Sequence, residues 1–227
     1  MILITGASRG IGKFLFEEFT KSGENVYGTY FTENPELGNN GRFYRLDVSD
    51  YGEAENLITK LTPEIKNAVL INCAGNNYTC FAHKSLPEEW SDVISTNLIG
   101  TYNMIRAILP VMREQNYGRI VNFASVVAET GIPGTSAYAA SKSGLWGMTR
   151  SMAVENASKG ITINNLNLGY FEIGMITEVS DEYQQVVKKK IPSGKFGDPQ
   201  NILNAVNFII SSEYLTGTSL DINGGIF

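Results

Sequence analysis

Tyr138 and Lys142 stand four residues apart in the small-residue stretch SAYAASKSG, Ser136 to Gly144. On a helix that spacing puts both on one face, so a phenol and an ammonium would address one ligand from the same side. An unperturbed tyrosine titrates near pH ~10 and shuttles protons poorly at neutrality. A cation ~4 Å away, at an effective dielectric of ~20, is worth ~4 kcal/mol, or about three pK units. The pair therefore predicts an acid/base centre in which the lysine lowers the tyrosine's pKa. Ser125, thirteen residues before Tyr138, follows the apolar run Arg119 to Phe123 and is expected to bring a hydroxyl to the same edge.

Positioning these side chains needs a rigid frame, and the pattern of the sequence supplies one. Short β-branched or apolar runs at Ile2 to Thr5, Asn25 to Thr29, Arg42 to Leu46, Ala68 to Asn72, Arg119 to Phe123, Ile161 to Leu166 and Ser219 to Ile222 read as strands, with longer helical patterns between them. Strands alternating with helices imply a parallel sheet, here a doubly wound Rossmann-type α/β fold of seven strands with helices on both faces. Strands covered on both faces should be apolar nearly throughout. Ser85-Leu86-Pro87-Glu88 predicts a capping box at a helix start, and Asp198-Pro199 an N-cap followed by proline. Residues 36–42, ELGNNGR, read as a surface loop, and the lysines at 188, 189 and 190 as a solvated helix face.

Between the first strand and the first helix, whose Ile11, Leu15 and Phe19 recur every fourth position, lie Gly6, Gly10 and Gly12. Such a turn lets backbone N–H groups approach a pyrophosphate while the helix dipole favours its charge, and so predicts a dinucleotide cradle. Asp47 and the segment Asn72-Cys73-Ala74-Gly75 also fall at carboxyl ends of predicted strands. Three strand ends thus point at one crevice.

The segments TGASRGIG at 5–12, LDV at 46–48, NCAG at 72–75, STNLIGTY around Asn97, FASVV around Ser125 and YAASKSG together resemble the short-chain dehydrogenase/reductase family over essentially the whole sequence. Within it, they resemble the bacterial enzymes that reduce 3-oxoacyl thioesters. The resemblance implies a catalytic set of Asn97, Ser125, Tyr138 and Lys142. Tyr138 would exchange a proton with the carbonyl oxygen, Ser125 would donate to it, Lys142 would hydrogen-bond the nicotinamide ribose and Asn97 would hold a relay water. It also implies cofactor contacts from Gly6, Ser8, Arg9, Gly10, Ile11, Gly12, Thr29, Tyr30, Thr32, Asp47, Val48, Asn72, Ala74, Gly75, Tyr138, Lys142, Gly169 and Phe171.

An acid after the second strand would favour NAD. Tyr30 occupies that place and Arg9 lies in the glycine loop, so NADP(H) is expected, with hydroxyls from Thr29 and Thr32 and an opposing charge at Glu33. Similar reductases carry P-G-x-x-x-T after the sixth strand; here Leu168 and Ile173 replace the proline and threonine. Ile173 cannot bond the carboxamide, which leaves backbone or Thr177. The aromatics Tyr170 and Phe171 with Met175 suit either an apolar substrate wall or core packing.

The expected function is NADPH-dependent reduction of a ketone, foremost a 3-oxoacyl thioester, which can be bound to a carrier protein. The alternatives are a sugar or secondary-metabolite intermediate and a non-catalytic NADP(H) sensor or scaffold. At 227 residues and 43% hydrophobic content, a single domain over 1–227 is expected. A net charge of −5 gives no footprint for nucleic acid or anionic lipid. No apolar run approaches the ~20 residues that span a bilayer, and the start MILI carries no export signal, so a cytoplasmic location is expected. Cys73 and Cys80 read as reduced, buried thiols. The sole histidine, His83, reads as an exposed loop residue, and no metal site is expected. The resemblance further implies a homotetramer, with a dimer as the alternative, built through the helices after Ser85 and Tyr138 and the last strand.

Overall fold

A computed structural model describes residues 1–32 and 42–226. Glu33 and all of the predicted 36–42 loop except Arg42 lie outside that range. The strands are β1 (Ile2–Thr5), β2 (Val26–Tyr30), β3 (Phe43–Arg45), β4 (Val69–Asn72), β5 (Gly118–Ser125), β6 (Ile161–Leu168) and β7 (Ser219–Ile222). Between them run helices α1 (Gly10–Lys21), α2 (Tyr51–Leu61), α3 (Pro87–Ile94), α4 (Gly100–Gln115), α5 (Val127–Thr130), α6 (Ser136–Asn156), α7 (Asp181–Lys190) and α8 (Pro199–Ser211).

The strands form one parallel sheet in the order β3-β2-β1-β4-β5-β6-β7. Period-two alternation divides its side chains between two cores. Leu3, Leu70, Ile120 and Ile163 pack against α2, α4 and α6. Ile2, Ile4, Ile71, Val121 and Leu166 pack against α1 and α8 on the other face. The order reverses between β1 and β4, so a crevice opens at their carboxyl ends.

The expectation of apolar strands holds for β1 but not for β6, where Asn164, Asn165 and Asn167 are all buried. Asn72, Asn122 and Asn165 lie in register across β4, β5 and β6. The Asn72 amide donates to Asn122 Oδ1 at 2.9 Å, and the Asn122 amide donates to Thr149 Oγ1 at 3.0 Å and Asn165 Oδ1 at 3.3 Å. The Asn165 amide continues the row to Ser219 Oγ at 3.0 Å. Register turns amides that would each cost about 1–3 kcal/mol if buried unpaired into partners for one another.

The helix starts divide in the same way. Asp198 accepts the Gln200 N–H at 2.8 Å and caps α8 as expected. Ser85 does not cap α3: its hydroxyl donates to Ala82 C=O, and Leu86, whose N–H donates to the Tyr78 hydroxyl at 3.1 Å, takes the cap position before Pro87. Proline has no N–H for a cap to satisfy, so the helix begins one residue later than a capping box would put it. From Pro87 the helix runs through a π-turn at Ser95–Ile99 into α4.

Candidate active site

β1 ends at Thr5, and after four intervening residues α1 begins at Gly10. Gly6 and Gly10 have φ of +64° and +53°, the left-handed region that favours glycine. A Cβ on Gly12 would lie 2.3 Å from Gly6 O, so the first turn of α1 rests directly on the strand-end turn. Thr5 Oγ1 accepts the N–H groups of Cys73 and Ala74, both at 3.1 Å, tying the ends of β1 and β4 together. Arg9 is exposed at the α1 N-cap position and makes no side-chain cap bond, so no side chain of the cap residue occupies the first N–H groups of the helix. This cradle, which a Cβ would fill, fits the phosphates of a dinucleotide.

Some expected cofactor contacts take other work. Thr29 is buried beneath the turn: its hydroxyl accepts Gly6 N–H at 3.3 Å and its C=O accepts Ala7 N–H at 2.7 Å. Thr29 therefore shapes the cradle from below, a correction to the expected hydroxyl contact. Asp47 turns its carboxylate back onto Ser49, accepting its N–H at 2.9 Å and its hydroxyl at 2.7 Å. Val48 sits in the core, and its C=O accepts the Asn103 amide at 3.0 Å. Asn72 belongs to the asparagine row. Ser8, Ile11 and Tyr30 are partly buried around the cradle, and Thr32 is exposed just beyond β2.

Beyond β6 the backbone returns toward the glycine turn. Gly169 donates its N–H to Ile222 C=O at 2.9 Å, and a Cβ there would meet Asn223 Cα at 2.7 Å, which explains the glycine. Phe171 packs into the core beside α1 and α8, and its segment pairs with Gly197 through Tyr170 C=O and Glu172 N–H. Phe171 is thus core, whereas Tyr170 joins the separate apolar cluster of Ile176, Val187, Ile191 and Phe196 under α7. A Cβ on Gly10 would stand 3.4 Å from Gly174 Cα, so this segment closes against the cradle. Thr177 is exposed and spends its hydroxyl on Gly174 C=O at 2.8 Å.

The four residues of the predicted catalytic set meet at this edge. Ser125 ends β5, Tyr138 and Lys142 lie in the first two turns of α6, and Asn97 sits in the π-turn. Lys142 is only 6% exposed; its Nζ donates to Phe123 C=O at 2.7 Å and stands 5.5 Å from the Tyr138 ring centroid. A Cβ on Gly75 would lie 3.0 Å from Asn97 Oδ1 and 3.8 Å from Lys142 Nζ, so the end of β4 forms the adjoining wall.

The Asn97 amide is fully engaged. Its Oδ1 accepts Asn76 N–H at 2.9 Å, and its nitrogen donates to Asn76 C=O at 2.9 Å and Ser141 Oγ at 3.2 Å. Asn97 therefore pins the loop after β4 against α6. Its backbone carbonyl accepts the Thr101 hydroxyl at 2.8 Å. Ser141, buried and placed directly before the lysine, was not singled out by sequence reasoning; the signal was a hydroxyl one turn after Tyr138.

Burial moves both titrating groups toward neutrality. It pushes the Tyr138 phenol up to about 12, against a smaller downward pull from the adjacent Ser125 hydroxyl. It brings Lys142 down to about 8. The residue Tyr138 is partly exposed, but its oxygen lies deep in the crevice, and the oxygen decides the titration. In the protein alone burial is the largest influence on the Tyr138 phenol, and Lys142 is not among the groups that move it. Cys73 and Cys80 are free thiols, as expected, but both residues are only partly buried rather than buried; desolvation pushes the Cys73 thiol up to about 12. His83 is exposed, its ring 6.1 Å from Phe81.

A glycine cradle at a sheet reversal, with a serine, a tyrosine and a lysine on the facing wall, defines a dinucleotide-dependent oxidoreductase of the short-chain type. A family model described as short chain dehydrogenase matches residues 1–184, and the chain belongs to that family. Over 234 residues it is 38% identical to the 3-oxoacyl-(acyl-carrier-protein) reductase FabG of Vibrio cholerae, covering 99% of this chain and 96% of the relative. The enzyme of the same name from Escherichia coli is 37% identical with the same coverage. That from Staphylococcus aureus is 34% identical over 238 residues, covering 99% of this chain and 97% of the relative. Among the described residues no helix is long and apolar enough to cross a membrane.

Proposed function

We propose that this protein reduces the ketone of a 3-oxoacyl thioester, free or carried on an acyl carrier protein, to the secondary alcohol with NADPH. The observation that carries the reading is the meeting of Ser125, Tyr138 and Lys142 on one wall of the crevice whose other wall is the glycine cradle. Names shared with relatives matched over almost their full length support the substrate class. Arg9, exposed beside the cradle, supports NADPH over NADH because its charge favours a 2′-phosphate. Gly6, Ser8, Gly10, Ile11, Gly12, Ala74 and Gly75 would hold the dinucleotide.

When bound, the reduced nicotinamide supplies a hydride to the carbonyl carbon. Tyr138, neutral below about 12, holds the proton that the carbonyl oxygen takes up. Ser125 donates a hydrogen bond to the same oxygen and stabilises its developing charge. As the phenol releases its proton, the Lys142 ammonium stabilises the phenolate left behind, so its charge acts during the reaction rather than on the resting tyrosine. Lys142 also presents N–H groups to the nicotinamide ribose, and a water on Asn97 C=O would return the proton from solvent. Ketone, reduced cofactor and proton together would give the alcohol and the oxidised cofactor.

Exposed apolar side chains on the long helices, Ile99, Tyr102 and Val154, support assembly of the protein as a homotetramer. The direct test of the chemistry is the rate of NADPH oxidation with acetoacetyl thioester, with NADH in parallel. Turnover faster with NADPH, and reduced ~10²- to 10⁴-fold by Tyr138→Phe with NADPH affinity retained, is expected. NADPH binding without turnover of any 3-oxoacyl thioester would refute the substrate assignment.

A further inference from the structure

Tyr138 and Lys142 are both carried by α6, so whatever fixes α6 along the sheet also fixes the reacting groups. Among the described residues, Leu145 is the only large apolar side chain that α6 buries fully, with Met148 and Met152 half-buried beside it. Ala137, Ser141, Lys142, Thr149, Ala153 and Asn156 make up the rest of its buried face. Apolar packing is non-directional and methionine adapts to its surroundings, so such a face sets no axial position sharply.

Polar bonds supply the missing definition. Thr149, fully buried two turns beyond Lys142, accepts the Asn122 amide of β5 at 3.0 Å and donates its hydroxyl to Asn165 Oδ1 of β6 at 2.7 Å. The Asn165 amide reaches Leu145 C=O at 3.4 Å, and Trp146 Nε1 donates to Asn167 Oδ1 at 3.1 Å. Lys142 Nζ completes the series on Phe123 C=O at 2.7 Å. A slip of one residue would move α6 by ~1.5 Å and take these bonds out of range. Valine or leucine at the strand positions would fill the same space but accept neighbouring registers. Asn122 stands three residues before Ser125 on β5, and the Ser125 hydroxyl adjoins the Tyr138 phenol, so the bond to Thr149 ties the helix to the strand directly below the reacting groups.

We propose that Thr149 is a positioning residue: its hydroxyl, locked between Asn122 and Asn165, fixes where α6 sits along β5 and β6 and thereby sets Tyr138 and Lys142 against Ser125. This rests on the reductase reading and adds which buried side chain holds the reacting groups in register. A displacement of ~1 Å at such a site costs about 10²-fold in rate, so a bond two turns away has leverage on the chemistry.

The test compares Thr149→Val, which keeps the shape and deletes the hydroxyl, with Thr149→Ser, which keeps the hydroxyl and deletes a methyl. Both should lower the urea midpoint, since each removes a buried contact. With acetoacetyl pantetheine and saturating NADPH, Thr149→Val should lower kcat about tenfold or more with KM changed less than about twofold, whereas Thr149→Ser should stay within about twofold of the parent in both. A kcat that falls with the urea midpoint in both variants, or that is unchanged in Thr149→Val, would overturn the proposal and leave the reductase reading intact. If Thr149→Val does not fold, Trp146→Phe, which deletes the bond to Asn167 from a partly exposed residue, decides: a lower kcat at unchanged KM supports the proposal, and an unchanged kcat overturns it. If the parent reduces no 3-oxoacyl thioester, the reductase reading falls and the pH dependence of NADPH affinity decides. Cys73 and Tyr138, the titrating groups facing Lys142, stay protonated to about 12, so the inflection near 8 belongs to the lysine. It should move upward in Thr149→Val, as the ammonium leaves its buried place, and stay in Thr149→Ser; an inflection unmoved in both, or moved alike in both, overturns the proposal.

Discussion

Lys142 reaches the crevice with the Phe123 carbonyl as its hydrogen-bond partner, and burial holds its pKa at about 8. Its charge is therefore present at neutrality and lost as pH rises through about 8, whereas Tyr138 keeps its proton to about 12. A cation that favours an anionic cofactor is lost over that range, so NADPH affinity should weaken as pH rises through about 8. Fluorescence titration of NADPH binding against pH should show this inflection in the parent and lack it in Lys142→Met. An affinity independent of pH in the parent would place the lysine away from the cofactor.

At the scale of elements, the turn between β1 and α1 is built by contact, and Gly12 is its tightest point. A Cβ there would lie 2.3 Å from Gly6 O, and backbone on both sides leaves no flexible side chain to yield. Gly12→Ala should cost about 1–3 kcal/mol in urea unfolding and weaken NADPH binding well beyond that loss, because it pushes α1 off the strand end that aims its N–H groups. The clamp of Asn97 on Asn76 and Ser141 works alike on the other wall, fixing the β4 loop against the helix that carries Tyr138.

At the scale of the molecule, each face of the sheet is closed by its own helices, yet Val154 on α6 remains 83% exposed, and Tyr102 and Ile99 are about half exposed. Burying these side chains against a second copy would remove apolar surface from water at roughly 25 cal/mol per Å². Sedimentation equilibrium should accordingly give four times the monomer mass for the parent, and Val154→Glu should shift it toward smaller species. A parent that sediments as a monomer at micromolar concentration would refute the assembly.

Local patterns in the sequence determined much of this protein. Short β-branched or apolar runs placed all seven strands to within about two residues. The spacing of Tyr138 and Lys142 placed them on one helix face, and the glycines marked the cradle. Relations between distant residues were decided only in three dimensions. The asparagines of β6 belong in the core because register aligns Asn165 with Asn122 and Asn72, and nothing local shows that pairing. Thr29 lies under the glycine turn and Phe171 in the core for the same reason. The pKa values of Tyr138 and Lys142 follow from how much protein surrounds them, a property of packing that residue spacing does not encode.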